Sequence, residues 1–378
     1  MSSRLRPLLA NLLLLSASMA MAAVLAEIGL RLLKPQPLEA AYAWADGTLR
    51  HRPSFEYTYT RSEFSGTVRF NSMGLRGEDV APARTPGVPR VLFLGDSFVE
   101  GKQVGEKEVL TAVLQALAAD EGRPLEVINA GVAGYGTSEE LILWQRLGRR
   151  LNPDLVLVGF YPNDVRNNVD RRLFELKEGR PAQAREPPLP KVRWIYDARR
   201  YLSSHSHLYM LGNLALDELA AGRRAEARDR GQSPRAGEPL EAEEVFARIP
   251  SRQVEEGWRL TLALLEELRR QVEAAGARFA VVVFPTRFQV DDALWEEHAR
   301  KIGLEPDQYD LRIPQRALRQ WSAAAGVTLL DLLEPFRSGS VSNIFYYRLD
   351  AHWNPAGHRL AAESILAGLF EGRHLERP

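Results

Sequence analysis

The chain has no cysteine. That excludes disulfides, thiol nucleophiles and thiolate metal sites together, while selecting no compartment. Neither sign of charge is in excess, since 49 Lys and Arg balance 49 Asp and Glu. A nucleic-acid partner therefore has no electrostatic footprint to bind. Also missing are an H-E-x-x-H pair, a phosphate-binding G-x-x-x-x-G-K loop, a G-x-G-x-x-G turn and a G-x-S-x-G elbow. Zincin, nucleotide-binding and ordinary α/β-hydrolase readings thus lack their motifs. No internal repeat recurs at a fixed period, which disfavours solenoids and propellers.

One long hydrophobic run is present, at the amino terminus. Leu8 to Ala26 is apolar except for Asn11, Ser16 and Ser18, and at ~1.5 Å per residue it nearly crosses a ~30 Å hydrocarbon layer. Arg4 and Arg6 precede it, so the positive-inside rule puts that end in the cytoplasm and the rest of the chain outside. Ala20-Met21-Ala22 resembles a signal-peptidase site. The helical pattern nevertheless continues through Glu27, Leu30 and Leu33 to Pro35, and an uncleaved anchor over 1–35 is the expectation. A core helix is the bland alternative.

Residues 36–89 read as a β lead-in and linker. Tyr57 to Phe70 alternates with period 2 and is rich in aromatics, and Asn71-Ser72-Met73-Gly74 supplies a turn. From Arg90 onward, apolar runs too short for helices stand at Val91–Leu94, Leu125–Ile128, Leu155–Phe160, Phe279–Phe284 and Val327–Leu330. Helical stretches separate or follow them at Glu108–Ala119, Glu139–Arg150, Val254–Ala274, Pro314–Ala324 and Ala356–Phe370. Five buried parallel strands in a doubly wound α/β sandwich over 90–378 follow from that rhythm. The rhythm breaks at about 165–250. Arg180–Pro190 is proline-rich, Tyr196–Leu219 is aromatic with a helical pattern, and Ala220–Glu244 is charged and poor in large apolar residues. An insertion with a disordered tail is expected there.

Ligands of doubly wound sheets bind beyond the carboxyl ends of the strands. The residues after the expected strands are polar: Gly95-Asp96-Ser97, Asn129-Ala130-Gly131, Asn163-Asp164, and near the end Asp350-Ala351-His352-Trp353-Asn354. Singly these are weak signals. In this order and placement they resemble the SGNH (GDSL-type) hydrolases: a GDS serine, a glycine after the second strand, an asparagine after the third, and a late aspartate–histidine pair. The resemblance spans Arg90 to about Phe370 and implies a flavodoxin-like three-layer fold, no metal or other cofactor, and acyl transfer through serine.

The chemistry supports the same roles. A serine hydroxyl is a poor nucleophile until a base takes its proton, and histidine titrates near the working pH, so Ser97 needs His352 within reach. Asp350 would orient the imidazole. An oxyanion hole would be built from the backbone amides of Ser97 and Gly131 and the side-chain amide of Asn163, glycine allowing close approach. Two departures stand out. Leu349 occupies the position three before the histidine, where the family commonly has aspartate, so Asp350 is only two residues away; this D-x-H-W spacing resembles SGNH relatives that O-acetylate exported polysaccharides. Tyr161 replaces the usual glycine two residues before Asn163.

Structural roles compete at several positions. Ser97 could simply cap a helix, and Gly131 could be a turn residue. Asn354 before Pro355 reads as an N-cap, Trp353 as packing, and Asp96 and Asp164 as loop-fixing acids. His205 and His207 lack acidic partners at metal-ligand spacing. His358 is expected to face solvent, and Arg76 to make an ion pair. The functional expectation is an esterase removing O-acyl groups, favouring O-acetyl on carbohydrate by fold-level analogy. The alternatives are an O-acyltransferase using a sugar hydroxyl as acceptor, and a silent carbohydrate-binding or assembly protein.

Overall fold

The computed structural model describes residues 5–36, 38, 41–45, 48–184, 193–213, 215–216, 242–340 and 344–371. The chain divides into two compact units, Met1–Tyr42 with Leu189–Ser233, and Ala43–Pro188 with Pro234–Pro378. Helix α1 (Leu5–Leu33) opens the smaller unit and continues past the apolar run that ends at Ala26, as the helical pattern through Leu33 predicts. Its stretch Leu13–Leu33 is long and apolar enough to cross a membrane, and none of it is buried. The core-helix alternative therefore fails, because a core helix hides its apolar side chains.

The larger unit begins with short strands β1 (Tyr42–Ala45, its first residue in the smaller unit) and β2 (Thr48–His51). The aromatic run then folds as an antiparallel hairpin, β3 (Glu56–Thr60) with β4 (Ser65–Arg69), pairing Tyr57 with Val68 and Tyr59 with Gly66. Asn71 builds the turn that follows. Its Oδ1 accepts from the amides of Met73 (2.9 Å) and Leu75 (3.0 Å), and Gly74 takes φ 74°, a conformation easiest for glycine.

Next come β5 (Arg90–Gly95), α2 (Ser97–Glu100), α3 (Leu110–Asp120), β6 (Glu126–Gly131) and α4 (Thr137–Leu143). A π-helical turn at Trp144–Gly148 joins α4 to α5 (Arg149–Leu151). The helix expected over Glu139–Arg150 is thus continuous but widened by a π-helical turn, where the buried Trp144 ring lies so close over Gly148 that a β-carbon there would overlap it. Then follow β7 (Leu155–Phe160), α6 (Asn163–Arg171) and the hairpin of β8 (Phe174–Lys177) with β9 (Arg180–Gln183), so part of the proline-rich stretch is extended chain. Helix α7 (Arg193–His205) and α8, helical over 207–213, belong to the smaller unit. Within that unit, the Glu27 carboxylate accepts from Ser206 Oγ (2.9 Å) and the amides of His207 (3.0 Å) and Leu208 (2.9 Å), at the start of α8. It satisfies donors that a helix start leaves unpaired. Of the expected disordered tail, 220–241 lies outside the described residues, and Ala242–Phe246 is a 3₁₀ turn.

The chain continues through α9 (Arg252–Ala274), β10 (Arg278–Val283), α10 (Arg287–Val290), α11 (Asp292–Lys301), α12 (Ile313–Ala325), β11 (Thr328–Asp331), α13 (Leu333–Ser340) and α14 (Pro355–Glu371). The central sheet is parallel in the order β11-β10-β7-β5-β6. Renumbered within the sheet this is 2-1-3-4-5, the flavodoxin-like doubly wound order. Alternation along each strand feeds two cores. Leu92, Leu94, Val156, Val158, Val281 and Val283 face α4 and α9, whereas Val91, Phe93, Leu155, Leu157, Ala280 and Val282 face α3 and α14. Both faces are covered, which is why these strands read as unbroken apolar runs. The order also sets the topological switch between β5 and β7, where such sheets open a crevice at their carboxyl ends.

Candidate active site

Gly131, Gly95 and Gly159 lie side by side across β6, β5 and β7. A β-carbon on Gly131 would fall 2.6 Å from the Val99 carbonyl carbon, and one on Gly159 would fall 2.9 Å from Val99 Cγ2. This row of glycines admits the first turn of α2 against the strand ends. Asp96 caps that turn, its Oδ1 accepting from the Phe98 amide (2.9 Å), and Gly101 at φ 63° closes it. Ser97 is thereby held on a sharp strand-to-helix corner at the carboxyl end of β5. Its own amide lies at the helix start, where donors have no intrahelical partner.

The segment between Tyr346 and Trp353 brings the late residues to the same place. His352 Nε2 lies 2.7 Å from Ser97 Oγ, and His352 Nδ1 lies 2.5 Å from Asp350 Oδ1. Asp350 Oδ1 also accepts from the His352 backbone amide (2.9 Å), so the two-residue spacing works because the chain turns between them. Burial pushes the Asp350 carboxyl up, but the His352 ring and amide outweigh it and hold it below the usual carboxylate range. A carboxylate on Nδ1 favours the tautomer with the proton there, leaving Nε2 to accept from Ser97. Behind them Trp353 is fully buried, with its ring edge-on to Phe98 and Phe284 (both 4.9 Å) and stacked on Phe336 (5.1 Å). Asn354 Oδ1 accepts from the Gly357 amide (3.0 Å), the N-cap geometry expected of it.

Asn163 stands at the start of α6, beyond β7, where its amide supports the ionised form of Asp96. Tyr161, in place of glycine, packs its ring 4.4 Å from Phe98. Gly131 is the last residue of β6 and not part of a loop after it, and its amide donates to Asn129 Oδ1 (3.0 Å). Asn129 remains in the strand because its side chain is satisfied inside, donating to the Val99 carbonyl (2.7 Å) and Thr111 Oγ1 (3.1 Å).

Beneath the serine corner lie acids. Asp96, Glu140 and Asp164 are each 0% exposed. Burial pushes Asp96 up to about 6 against the Phe98 amide and the charge of His352. Burial raises Glu140 well above the ordinary range, helped by the charges of Asp96 and Glu139, and raises Asp164 likewise, helped by those of Glu140, Asp96 and Glu139.

Two expectations need correction or completion. His358 does not face solvent: it is 1% exposed, and its Nδ1 accepts from the Leu110 amide (3.3 Å). Burial, with Arg76 nearby, pushes it down to about 3, so it is a neutral core histidine. The signal was present, since 358, 361, 362, 365, 366 and 369 form one buried helical stripe. Arg76 is likewise buried. It lies 3.4 Å from Glu106, and it donates to the Glu100 carbonyl and to that of Val104 (2.7 Å), bracing the chain beyond α2. A cavity of about 490 Å³ lined by Trp295, Tyr309, Arg312 and Arg337 shares no residue with the serine cluster, so volume alone does not locate the chemistry. Among the described residues no group of three or more His, Asp or Glu is arranged to hold a metal.

Known proteins resemble parts of this chain. A "probable alginate O-acetylase AlgJ" of Pseudomonas aeruginosa is 30% identical over 141 residues, 37% of this chain and 33% of that protein, so the chain spans about a third of that relative's length. An arylesterase of Vibrio mimicus is 25% identical over 138 residues, 32% of this chain and 69% of its own. Among solved structures, an acetylxylan esterase from Geobacillus stearothermophilus superposes with a TM-score of 0.41 at 13% identity, covering 76% of this chain and 96% of that one. The model of the GDSL-like lipase/acylhydrolase family matches residues 93–360. With Ser97, Asn163 and His352 all inside that match, the chain is a member of the GDSL-like lipase/acylhydrolase family.

Proposed function

We propose that this protein is a serine esterase acting on O-acyl esters through an acyl-serine intermediate, with Ser97 as nucleophile, His352 as base and Asp350 as its orienting carboxylate. The observation that carries the reading is the continuous relay of 2.7 Å from Ser97 to His352 and 2.5 Å from His352 to Asp350. Ser97 Oγ attacks the ester carbonyl carbon while its proton passes to His352 Nε2. Asp350 stabilises the imidazolium. The tetrahedral intermediate then expels the alcohol, which takes the proton back from His352, and water repeats the sequence on the acyl-serine. The oxyanion is met by the Ser97 amide and the Asn163 side chain, whose nitrogen carries a second hydrogen beyond the one facing Asp96. Gly131 could join only by giving up Asn129.

Carbohydrate O-acetyl esters are the favoured substrate. A sugar hydroxyl in place of water would make the same intermediate an O-acetyl donor, a reading favoured by the relative named as an alginate O-acetylase. The basic flank of Arg4 and Arg6 before the apolar helix supports a single-pass anchor with the catalytic unit outside the cytoplasmic membrane, and resistance of the full chain to carbonate extraction tests it. A silent binding protein would leave Ser97 unlabelled by a serine-directed phosphonate. The deciding experiment incubates the full chain with p-nitrophenyl acetate, with and without oligosaccharide, and follows acetate and sugar by mass. Ser97→Ala should cut turnover by ~10⁴–10⁶ with the fold intact. More than a tenth of the wild-type rate in that variant rejects the assignment.

A further inference from the structure

The β3–β4 hairpin lies before the family match of 93–360, yet its tip reaches the proposed catalytic residues. The turn closes where the Arg61 amide donates to the Phe64 carbonyl (2.8 Å). From this turn Glu63 Oε1 accepts from the Arg348 amide (2.8 Å), and Oε2 accepts from the amides of Leu349 (2.7 Å) and Asp350 (3.1 Å). One carboxylate thus takes three consecutive amides, the last of them belonging to the residue that holds His352.

Between its buried ends at Tyr346 and Trp353, the ring contacts of this arm are those of Tyr347 with Phe64 (4.9 Å) and of His352 with Phe98 (5.0 Å). Arg348, Leu349 and Ala351 are exposed, Leu349 at 79%. Other hydrogen bonds hold the arm as well: the Tyr347 amide donates to the His352 carbonyl (3.1 Å), the Tyr347 hydroxyl to the Gln103 carbonyl (3.3 Å), and Arg287 Nη1 to the Arg348 carbonyl (3.3 Å). Hydrogen bonds to an ionised acceptor are roughly twice as strong as neutral ones. Burial raises the Glu63 carboxyl, but the amides of Leu349, Arg348 and Asp350 overcome it and hold it below the ordinary range.

We propose that Glu63 is a positioning residue that acts through Asp350, stapling the Arg348–Asp350 backbone so that Asp350 meets His352. The inference rests on the proposed Ser97–His352–Asp350 relay. Glu63→Gln changes one atom and leaves the hairpin's packing alone, but it turns an NH₂ group toward an amide that needs an acceptor. Displacing a catalytic group by ~1 Å can cost ~10² in rate.

The test measures p-nitrophenyl acetate turnover by the full chain carrying Glu63→Gln, in the wild-type and Asp350→Asn backgrounds. Rates are normalised to the fraction of Ser97 that a phosphonate labels, so partly unfolded protein does not count. The expected result is a loss of kcat of about 10–100-fold with KM within about twofold in the wild-type background, and less than about a twofold further loss beside Asp350→Asn, because members of one unit are not additive. A similar loss in both backgrounds, or none in the first, while Ser97→Ala is inactive, overturns the positioning role alone. Activity surviving Ser97→Ala overturns the relay and the staple with it.

Discussion

Asp350 Oδ1 holds His352 twice, through the backbone amide at 2.9 Å and the ring Nδ1 at 2.5 Å. The same oxygen therefore shapes the turn and orients the imidazole. The acids beneath the serine corner, Asp96, Glu140 and Asp164, are fully buried, and the charge of His352 favours the ionised form of Asp96.

Replacing Asp350 by Asn retains an oxygen that can accept from the backbone amide, so the turn should survive. The negative charge that stabilises the imidazolium is removed, and kcat should fall by ~10²–10⁴ with an unchanged melting temperature. Steady-state kinetics beside thermal unfolding checks this. Near-normal turnover, with a large loss in Asp164→Asn, would move the carboxylate role to the third strand's end.

Gly131→Ala tests the glycine row. Its β-carbon would fall 2.7 Å from Val99 Cβ and 2.6 Å from the Val99 carbonyl carbon, and backbone cannot yield as a flexible side chain does. Overpacking of this kind costs about 1–3 kcal/mol or more, read as a lower urea midpoint at unchanged slope. Because α2 carries Ser97, kcat should fall as well. A variant as stable and active as the parent would show that α2 does not depend on that approach.

The buried acids set a pH dependence of stability. Asp96 is raised to about 6 in the fold, and Glu140 and Asp164 are also raised well above the ordinary range, whereas unfolded carboxyls titrate near ~4. Between those values the folded state binds more protons than the unfolded state, so stability falls as pH rises. The melting temperature should decline from about pH 4 through about pH 6 and beyond. Glu140→Gln should flatten that decline and raise the melting temperature at pH 8 by roughly 2–5 °C. A steeper decline in that variant would show that Glu140 is ionised and stabilising.

Local pattern determined much of this protein. Period and length located all five sheet strands, since runs buried on both faces must be apolar throughout, as in Leu155–Phe160. The apolar amino-terminal helix was legible from length alone. Placing polar residues after the strands singled out Ser97 and Asn163 as candidates, because ligands of doubly wound sheets bind at the strand ends, whereas Asp350 and His352 follow no strand and were singled out by the family resemblance. Tertiary structure alone decided which groups those residues meet. The separation of 255 positions between Ser97 and His352 closes to 2.7 Å only through the sheet order. The Gly131 amide turns to Asn129, His358 turns inward, and Glu63 reaches a backbone 285 positions away. Such partners are long-range backbone and side-chain donors, and no spacing along the chain encodes which of them a bend will bring together.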